Sequence, residues 1–347
     1  MADSLDTFNA VFPMLADDLR SLCCEQYRLP EQVWKWLEKS LVHNALGGKC
    51  NRGLSVVDTT QLILDRDLTS DEYFQTATLG WMVEFLQAMM LVVDDIMDHS
   101  KTRRGRPCWY LVPGVGMQAA NDAPMLESAI YVLLKKYFKC HRAYVDMVEL
   151  FHEVSFQVEL GQTFDMLAAP QDGKVDLDSF SMERYNSIVT YKTAYYTFYL
   201  PVALALFYTG RASPRNLKQA EEVLLGMGTY FQVQDDYLDN FADPSVLGKI
   251  GTDIQDNKCS RLVIMALERC TAGQRTVLEA NYGKKEAACV RKVKELYNEL
   301  GLQAAYLEYE ENEVRELERI IDGIDETEGL RKTIFRVFLS KIHKRSK

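Results

Sequence analysis

A chain of 347 residues, 47% apolar and 26% charged, can bury a large core and has the charge content of a soluble protein. Its net charge of −10 excludes a broad nucleic-acid or anionic-membrane surface, although a local basic pocket could still hold a small anion. The first stretch, Met1 to Arg20, is acidic and mixed, without the apolar run of a signal or transit peptide. Phe74 to Asp98 then reads as one long, mostly apolar helix. Met147 to Leu167 reads as another, with Glu159, Gln162 and Asp165 at helical spacing. Phe180 to Tyr208 and Leu217 to Asp239 continue the pattern, and Lys285 to Ile321 is a more polar, amphipathic segment. Breaks fall at 46–48, 105–116, 169–173, 210–214 and 242–251, each holding Gly or Pro near polar residues. The longest apolar stretch, Phe198 to Tyr208, contains Pro201 and is too short to span a bilayer, so no transmembrane segment is expected. No hairpin signal, βαβ alternation, short repeat or long linker is visible. The expectation is a single large all-α domain over 1–347.

Eight cysteines are scattered without CxxC spacing or histidines at zinc spacing, which suits free thiols in a reducing compartment. The five histidines, His43, His99, His141, His152 and His343, have no clear chemical partner. No Ser-His-Asp or Cys-His arrangement calls for nucleophilic catalysis.

The informative feature is a repeated acidic pattern. Asp94-Asp95-Ile96-Met97-Asp98 and Asp235-Asp236-Tyr237-Leu238-Asp239 both read DDxxD, both follow apolar helical runs, and both precede loops with basic residues. Residues i and i+4 share a helix face, so Asp94 projects with Asp98 and Asp235 with Asp239, while Asp95 and Asp236 flank those faces. Like charges at this spacing repel, and the helix dipole disfavours anions at a C-terminal end. One such cluster can be a solvated helix end. Two of them argue for a compensating cation, and all-oxygen ligands suit Mg²⁺ shared with a phosphate. The Asp and Gly spacing does not fit an EF-hand.

Basic residues lie nearby in the sequence. Lys101-Thr102-Arg103-Arg104-Gly105-Arg106 follows the first cluster directly, Gly47-Gly48-Lys49-Cys50-Asn51-Arg52 lies upstream, and Lys192, Lys249 and Lys258 fall close to the other marked segments. Arginine forks bind phosphate oxygens bidentately and lysine supplies a point charge. Each run alone is as well read as a solvated face, the terminal Lys344-Arg345-Ser346-Lys347 included. The GGK segment lacks the spacing and hydroxyl of a P-loop. Metals with phosphate clamps can pull off a diphosphate leaving group, and Met- and aromatic-rich helices can shelter a carbocation from water.

These residues, taken together, resemble the eukaryotic branch of the trans-isoprenyl diphosphate synthase family from about Gly47 to the C-terminus. The matching segments are GGKCNRGLSVVD (47–58), LVVDDIMDHSKTRRGRPCWY (91–110), ELGQTFD (159–165), YKTAYYTFYLP (191–201) and YFQVQDDYLDNFADPSVLGKIGTDIQDNKCS (230–260). The resemblance implies a single large orthogonal helical bundle of the isoprenoid synthase type around a central cavity, a cytoplasmic homodimer, and three Mg²⁺ ions per active site. It implies that dimethylallyl or geranyl diphosphate is condensed with isopentenyl diphosphate to give farnesyl diphosphate. Asp94, Asp95, Asp98, Asp235, Asp236 and Asp239 would then form the two metal-binding motifs. Arg103, Lys192 and Lys249 would hold the allylic diphosphate, and Lys49, Arg52, Gln87 and Arg104 the isopentenyl diphosphate. Thr193, Gln232 and Lys258 would line the reacting centre, with Lys192 and Thr193 stabilising the cation. The leaving diphosphate would take the final proton.

Two positions depart from the family pattern. Met89 and Met90 stand where eukaryotic farnesyl members carry one or two aromatic residues, which opens a geranylgeranyl or mixed C15/C20 product as the alternative. Arg261 stands where the family has Trp, after Lys258-Cys259-Ser260. A class I terpene cyclase would carry an NDxxSxxxE-like second motif in place of the second DDxxD. A non-catalytic subunit of a heteromeric synthase commonly loses acidic-motif residues, and all six aspartates are intact here.

Overall fold

The computed structural model describes residues 2–168, 175–242 and 251–343. The helices are α1 (Ala2–Asn9), α2 (Phe12–Ser21), α3 (Glu31–Ala45), α4 (Asn51–Leu64), α5 (Ser70–Met97), α6 (Ala119–Phe138), α7 (Tyr144–Ala168), α8 (Met182–Val189), α9 (Leu200–Thr209), α10 (Pro214–Phe241), α11 (Arg261–Arg269), α12 (Ala272–Asn281), α13 (Ala287–Glu299), α14 (Leu302–Asp322) and α15 (Lys332–Ile342). π-Helical stretches at Leu22–Gln26 and Thr190–Tyr199, short 3₁₀ turns, and two-residue strands β1 (Thr102–Arg103) and β2 (Arg106–Pro107) make up the rest of the regular structure. The fold is all-α, as the periodicity implied. Lys249, the terminal run 344–347, the break at 169–173 and most of the break at 242–251 lie outside the described residues.

Helix α5 starts four residues earlier than its apolar pattern, because Thr69 and Glu72 close a capping box at its N-terminus. It is the one helix, among the described residues, with the length and apolarity of a membrane span, yet 78% of that window is buried by protein. That burial makes it a core helix.

The chain divides into two compact units. The first takes in residues 1–155, 196–220 and 325–334, and in it α5 packs against α3, α4, α6 and α9. Its aromatic centre is Trp81, stacked on Phe8 at 4.9 Å between ring centroids and flanked by Phe12 and Phe85. The Trp81 indole N–H is satisfied by the Phe8 carbonyl at 3.0 Å. The second takes in residues 156–195, 221–324 and 335–347. There α11 packs on α8 and α14, and α13 on α12 and α14, around a core that includes Tyr185, Val263, Leu278, Tyr282 and Tyr297.

Candidate active site

The last turns of α5 carry the first acidic motif. Asp95 is buried, whereas Asp94 and Asp98 are half-buried. The next described element is the β1–β2 hairpin, whose turn residues Arg104 and Gly105 both have positive φ, 53° and 71°. A non-glycine residue in that conformation gives little sequence signal, so the hairpin was not foreseen. It brings Arg103 back onto the motif. The Arg103 Nη2 donates to Asp95 Oδ1 at 2.6 Å and Asp94 Oδ2 at 3.2 Å, and its Nε donates to Asp95 Oδ1 at 3.1 Å. Burial pulls the guanidinium pKa down, but Asp95 and Asp94 more than offset this and hold it above its ordinary value. Arg104 points the other way. Its Nη1 donates to the carbonyls of Asn44, Ala45 and Leu46, where α3 ends, so it satisfies orphan acceptors of that helix. A Cβ at Gly48 would lie 2.9 Å from the Arg104 Cζ, so the GGK loop packs directly against this guanidinium. Arg103, Arg104, Arg106, Asp95, His43 and Trp109 help to line a small cleft.

The GGKCNR segment forms the entry to α4, with Cys50 in the left-handed region at its N-cap. Lys49 is exposed. The Arg52 guanidinium donates to Thr197 Oγ1 at 2.9 and 3.1 Å and to the Tyr196 hydroxyl at 3.1 Å, and it lies 4.7 Å from the Tyr196 ring centroid. Glu84, which was not singled out from the sequence, is buried on α5 and accepts the Gly53 N–H at 2.9 Å. Burial pushes its carboxyl pKa up, against the pull of Gly53 and of the positive Arg52 and Arg104. It supplies the N-terminal acceptor that α4 lacks in its own cap residue. The available signal was its position, the one charged residue between Tyr73 and Val93. Gln87, one turn further on, is buried with an Oε1 that accepts no hydrogen bond. Met89 is buried and Met90 half-buried.

In the second unit, α10 ends on the second motif. Asp236 is buried, accepting from Gln232 Nε2 at 3.0 Å and from the Arg261 backbone N–H at 2.7 Å. The second of these places a carboxylate at the N-terminus of α11. Burial nevertheless pushes the Asp236 pKa up to about 7, against the pull of those two donors. Asp239 is buried too and accepts the backbone N–H groups of Thr252 and Asp253 at 3.2 and 3.1 Å. Gly251 permits this approach, since a Cβ there would sit 2.0 Å from the Asp239 carbonyl oxygen. Asp235 is half-buried. Gln232 joins two predicted site residues, because its Oε1 accepts from the Thr193 hydroxyl at 3.3 Å while its Nε2 holds Asp236. Lys192 and Lys258 also meet, both bonding Asp165 Oδ2, at 2.6 and 2.9 Å. Burial alone would raise the Asp165 pKa, but the two ammonium groups bring it down to about 2. The Arg261 side chain, where the family has Trp, lies 6.0 Å from the Tyr309 ring centroid and 3.8 Å from Glu268.

The six aspartates therefore fall into two groups. Asp95, Asp236 and Asp239 are buried, and Asp94, Asp98 and Asp235 are half-buried, with Asp94 sharing Arg103 with Asp95. Among the described residues, no three His, Cys, Asp or Glu side chains converge on one point as a ready-made metal cage. Carboxylates spaced along a helix face fit a cation that keeps waters and shares oxygens with a phosphate.

Comparison with known proteins follows this geometry. Residues 34–300 match the Polyprenyl synthetase family. The chain is 57% identical over 345 residues to farnesyl pyrophosphate synthase vrtD of Penicillium aethiopicum, covering 99% of this chain and 98% of that one. It is 52% identical to the farnesyl pyrophosphate synthase of Schizosaccharomyces pombe, with 99% of each covered. Among solved structures, Trypanosoma brucei farnesyl diphosphate synthase superposes with a TM-score of 0.89 at 34% identity over 99% of both chains. The same enzyme complexed with risedronate gives a TM-score of 0.88 at 34% identity, covering 99% of this chain and 100% of that one.

Proposed function

We propose, from the premise that the chain belongs to the polyprenyl synthetase family, that it is a chain-elongating trans-prenyltransferase whose main product is farnesyl diphosphate. It condenses dimethylallyl and then geranyl diphosphate with isopentenyl diphosphate. The observation that carries this reading is the paired DDxxD motif, each copy closing a long helix, in a chain at 50–57% identity to farnesyl pyrophosphate synthases.

In this reading Asp94, Asp95, Asp98, Asp235, Asp236 and Asp239 form the two metal-binding motifs. Three Mg²⁺ ions, when bound, would neutralise charge on the departing diphosphate. Arg103, Lys192 and Lys249 bind the allylic diphosphate, and Lys49, Arg52, Gln87 and Arg104 bind isopentenyl diphosphate. The allylic C–O bond breaks with its electron pair leaving on diphosphate. The allylic cation adds to the isopentenyl double bond, and loss of a proton to the departed diphosphate leaves the new double bond. Thr193, whose hydroxyl bonds Gln232, lines the reacting centre with Gln232 and Lys258, and Lys192 and Thr193 stabilise the cation. A cytoplasmic homodimer with a single synthase domain over 1–347 completes the proposal. Eight free cysteines suit that compartment.

The test is a product assay. Purified protein is incubated with Mg²⁺, isopentenyl diphosphate and the C5, C10 or C15 allylic diphosphate in turn. C15 product is expected from the first two, with loss of turnover in EDTA and recovery on adding Mg²⁺. Full activity after thorough chelation would overturn the metal mechanism, and a predominantly C20 output would move the assignment to geranylgeranyl diphosphate synthesis.

A further inference from the structure

Helix α7 touches the Lys192 segment at two points on one face. Gly161 and Asp165 are separated by four residues and so share that face. At Gly161 the contact is backbone to backbone, since a Cβ there would sit 2.2 Å from the Lys192 amide nitrogen. One turn on, Asp165 Oδ2 receives the Lys192 ammonium at 2.6 Å. The same oxygen receives the Lys258 ammonium at 2.9 Å, and the Lys258 carbonyl is itself fixed by the Tyr282 hydroxyl at 2.6 Å. Lys192 also lies in the π-helical stretch Thr190–Tyr199, a widened turn of the kind found at functional sites.

We propose that Asp165 is a positioning residue that gathers the ammonium groups of Lys192 and Lys258 onto one carboxylate oxygen and presents them to the allylic diphosphate as a fixed pair. The proposal rests on the prenyltransferase reading for the identity of that diphosphate. The two ammonium groups stand no farther apart than their two hydrogen bonds laid end to end, and at that separation they repel. Lysine also sits on a flexible four-carbon stem. One buried carboxylate answers both problems. It cancels one of the two charges, leaving the cluster singly positive, and it fixes both stems. Exposure grades in the sense this requires: the Asp165 side chain is 9% exposed, and those of Lys192 and Lys258 are 24% and 18%. The anchor is inside, and the cations reach toward the open side. Asp165 acts through the lysines and touches no reacting atom.

Asp165→Asn keeps the shape of the anchor and removes its charge. Binding of inorganic pyrophosphate with Mg²⁺, measured by titration calorimetry, should weaken about tenfold or more, as expected for losing charged hydrogen bonds. The KM for geranyl diphosphate should rise by a similar factor while that for isopentenyl diphosphate stays within about twofold. Unchanged pyrophosphate affinity, or an equal rise in both KM values, would overturn the proposal. If the unaltered protein binds pyrophosphate but makes no prenyl product, the functional reading fails, and Asp165 is judged by calorimetry alone. If Asp165→Asn does not fold, the thermal midpoints of ligand-free Lys192→Gln, Lys258→Gln and the double variant decide. Midpoint shifts that fail to add are expected of two lysines sharing one anchor, and strictly additive shifts would overturn the idea.

Discussion

Asp94 and Asp95 are adjacent in sequence yet live in different surroundings, one half-buried and the other enclosed beside Arg103. The motif spacing made the helix face legible, because i, i+4 geometry is a property of the backbone. It did not reveal which carboxylates the protein itself would occupy. The Arg261 amide that holds Asp236 and the Lys258 ammonium that meets Asp165 come from elements far away in the chain. At this scale the pair with most leverage on product identity is Met89 and Met90. They precede Asp94 by five and four residues, so helical rise sets them ~6–7.5 Å from the acidic face. An isoprenoid tail growing away from its diphosphate would meet them there. Methionine is slim and has three flexible torsions, so it yields to a longer tail at low cost. The expected output is mainly C15 with a measurable C20 fraction. Met89→Phe combined with Met90→Phe should restrict products to C15 or shorter, and alanine at both positions should lengthen them. Chromatography of the dephosphorylated products reads the result. Identical chain lengths across the three proteins would return the pair to ordinary core packing.

The crossing of α4 and α5 sets the geometry of the predicted isopentenyl site. A Cβ at Gly80 would lie 2.4 Å from the Gly53 carbonyl oxygen, so the two backbones are in direct contact there. One turn further along α5, Glu84 takes the Gly53 N–H and fixes the start of α4, from which Lys49 and Arg52 extend. Gly80→Ala has no flexible side chain to push aside. It should cost ~1–3 kcal/mol of stability, the range for an overpacked core, with some relief from the better helix propensity of alanine. Urea unfolding measures this. The same change should raise the KM for isopentenyl diphosphate more than that for geranyl diphosphate, because only the α4 entry moves. An unchanged urea midpoint would mean that the crossing adapts freely. Helices with sustained apolar runs were readable to within a few residues: 74–98 against Ser70–Met97, and 217–239 against Pro214–Phe241. Finer divisions were not. The segment 180–208 reads as one apolar helix but resolves into α8, a π stretch and α9, and the π stretch lies where the Lys192 backbone packs against Gly161, a contact that composition does not signal. The run 285–321 breaks at Gly301, whose φ of 65° takes the left-handed conformation between α13 and α14.

For the molecule as a whole, helix periodicity announced an all-α chain, but nothing in the sequence marked two compact units. Each is assembled from stretches far apart in the chain, so their boundaries fall where no linker composition could signal them. On the C-terminal part of α7, Phe156, Leu160 and Leu167 are 61%, 50% and 69% exposed. Spacings of four and seven residues put them on one face. Single exposed apolar residues are ordinary on a soluble protein, but three large ones in a stripe on a helix suggest a surface that another protein covers. In the proposed homodimer the occupant is a second copy, and a two-fold contact would place the same stripe on both sides. Phe156→Asp with Leu160→Asp puts like charges face to face in such a contact while disturbing little inside the chain, because both side chains already project outward. Sedimentation should then report a shift from twice the chain mass to the chain mass, with the helical circular dichroism unchanged. A variant that still sediments at twice the chain mass would show that the dimer contact lies on another face.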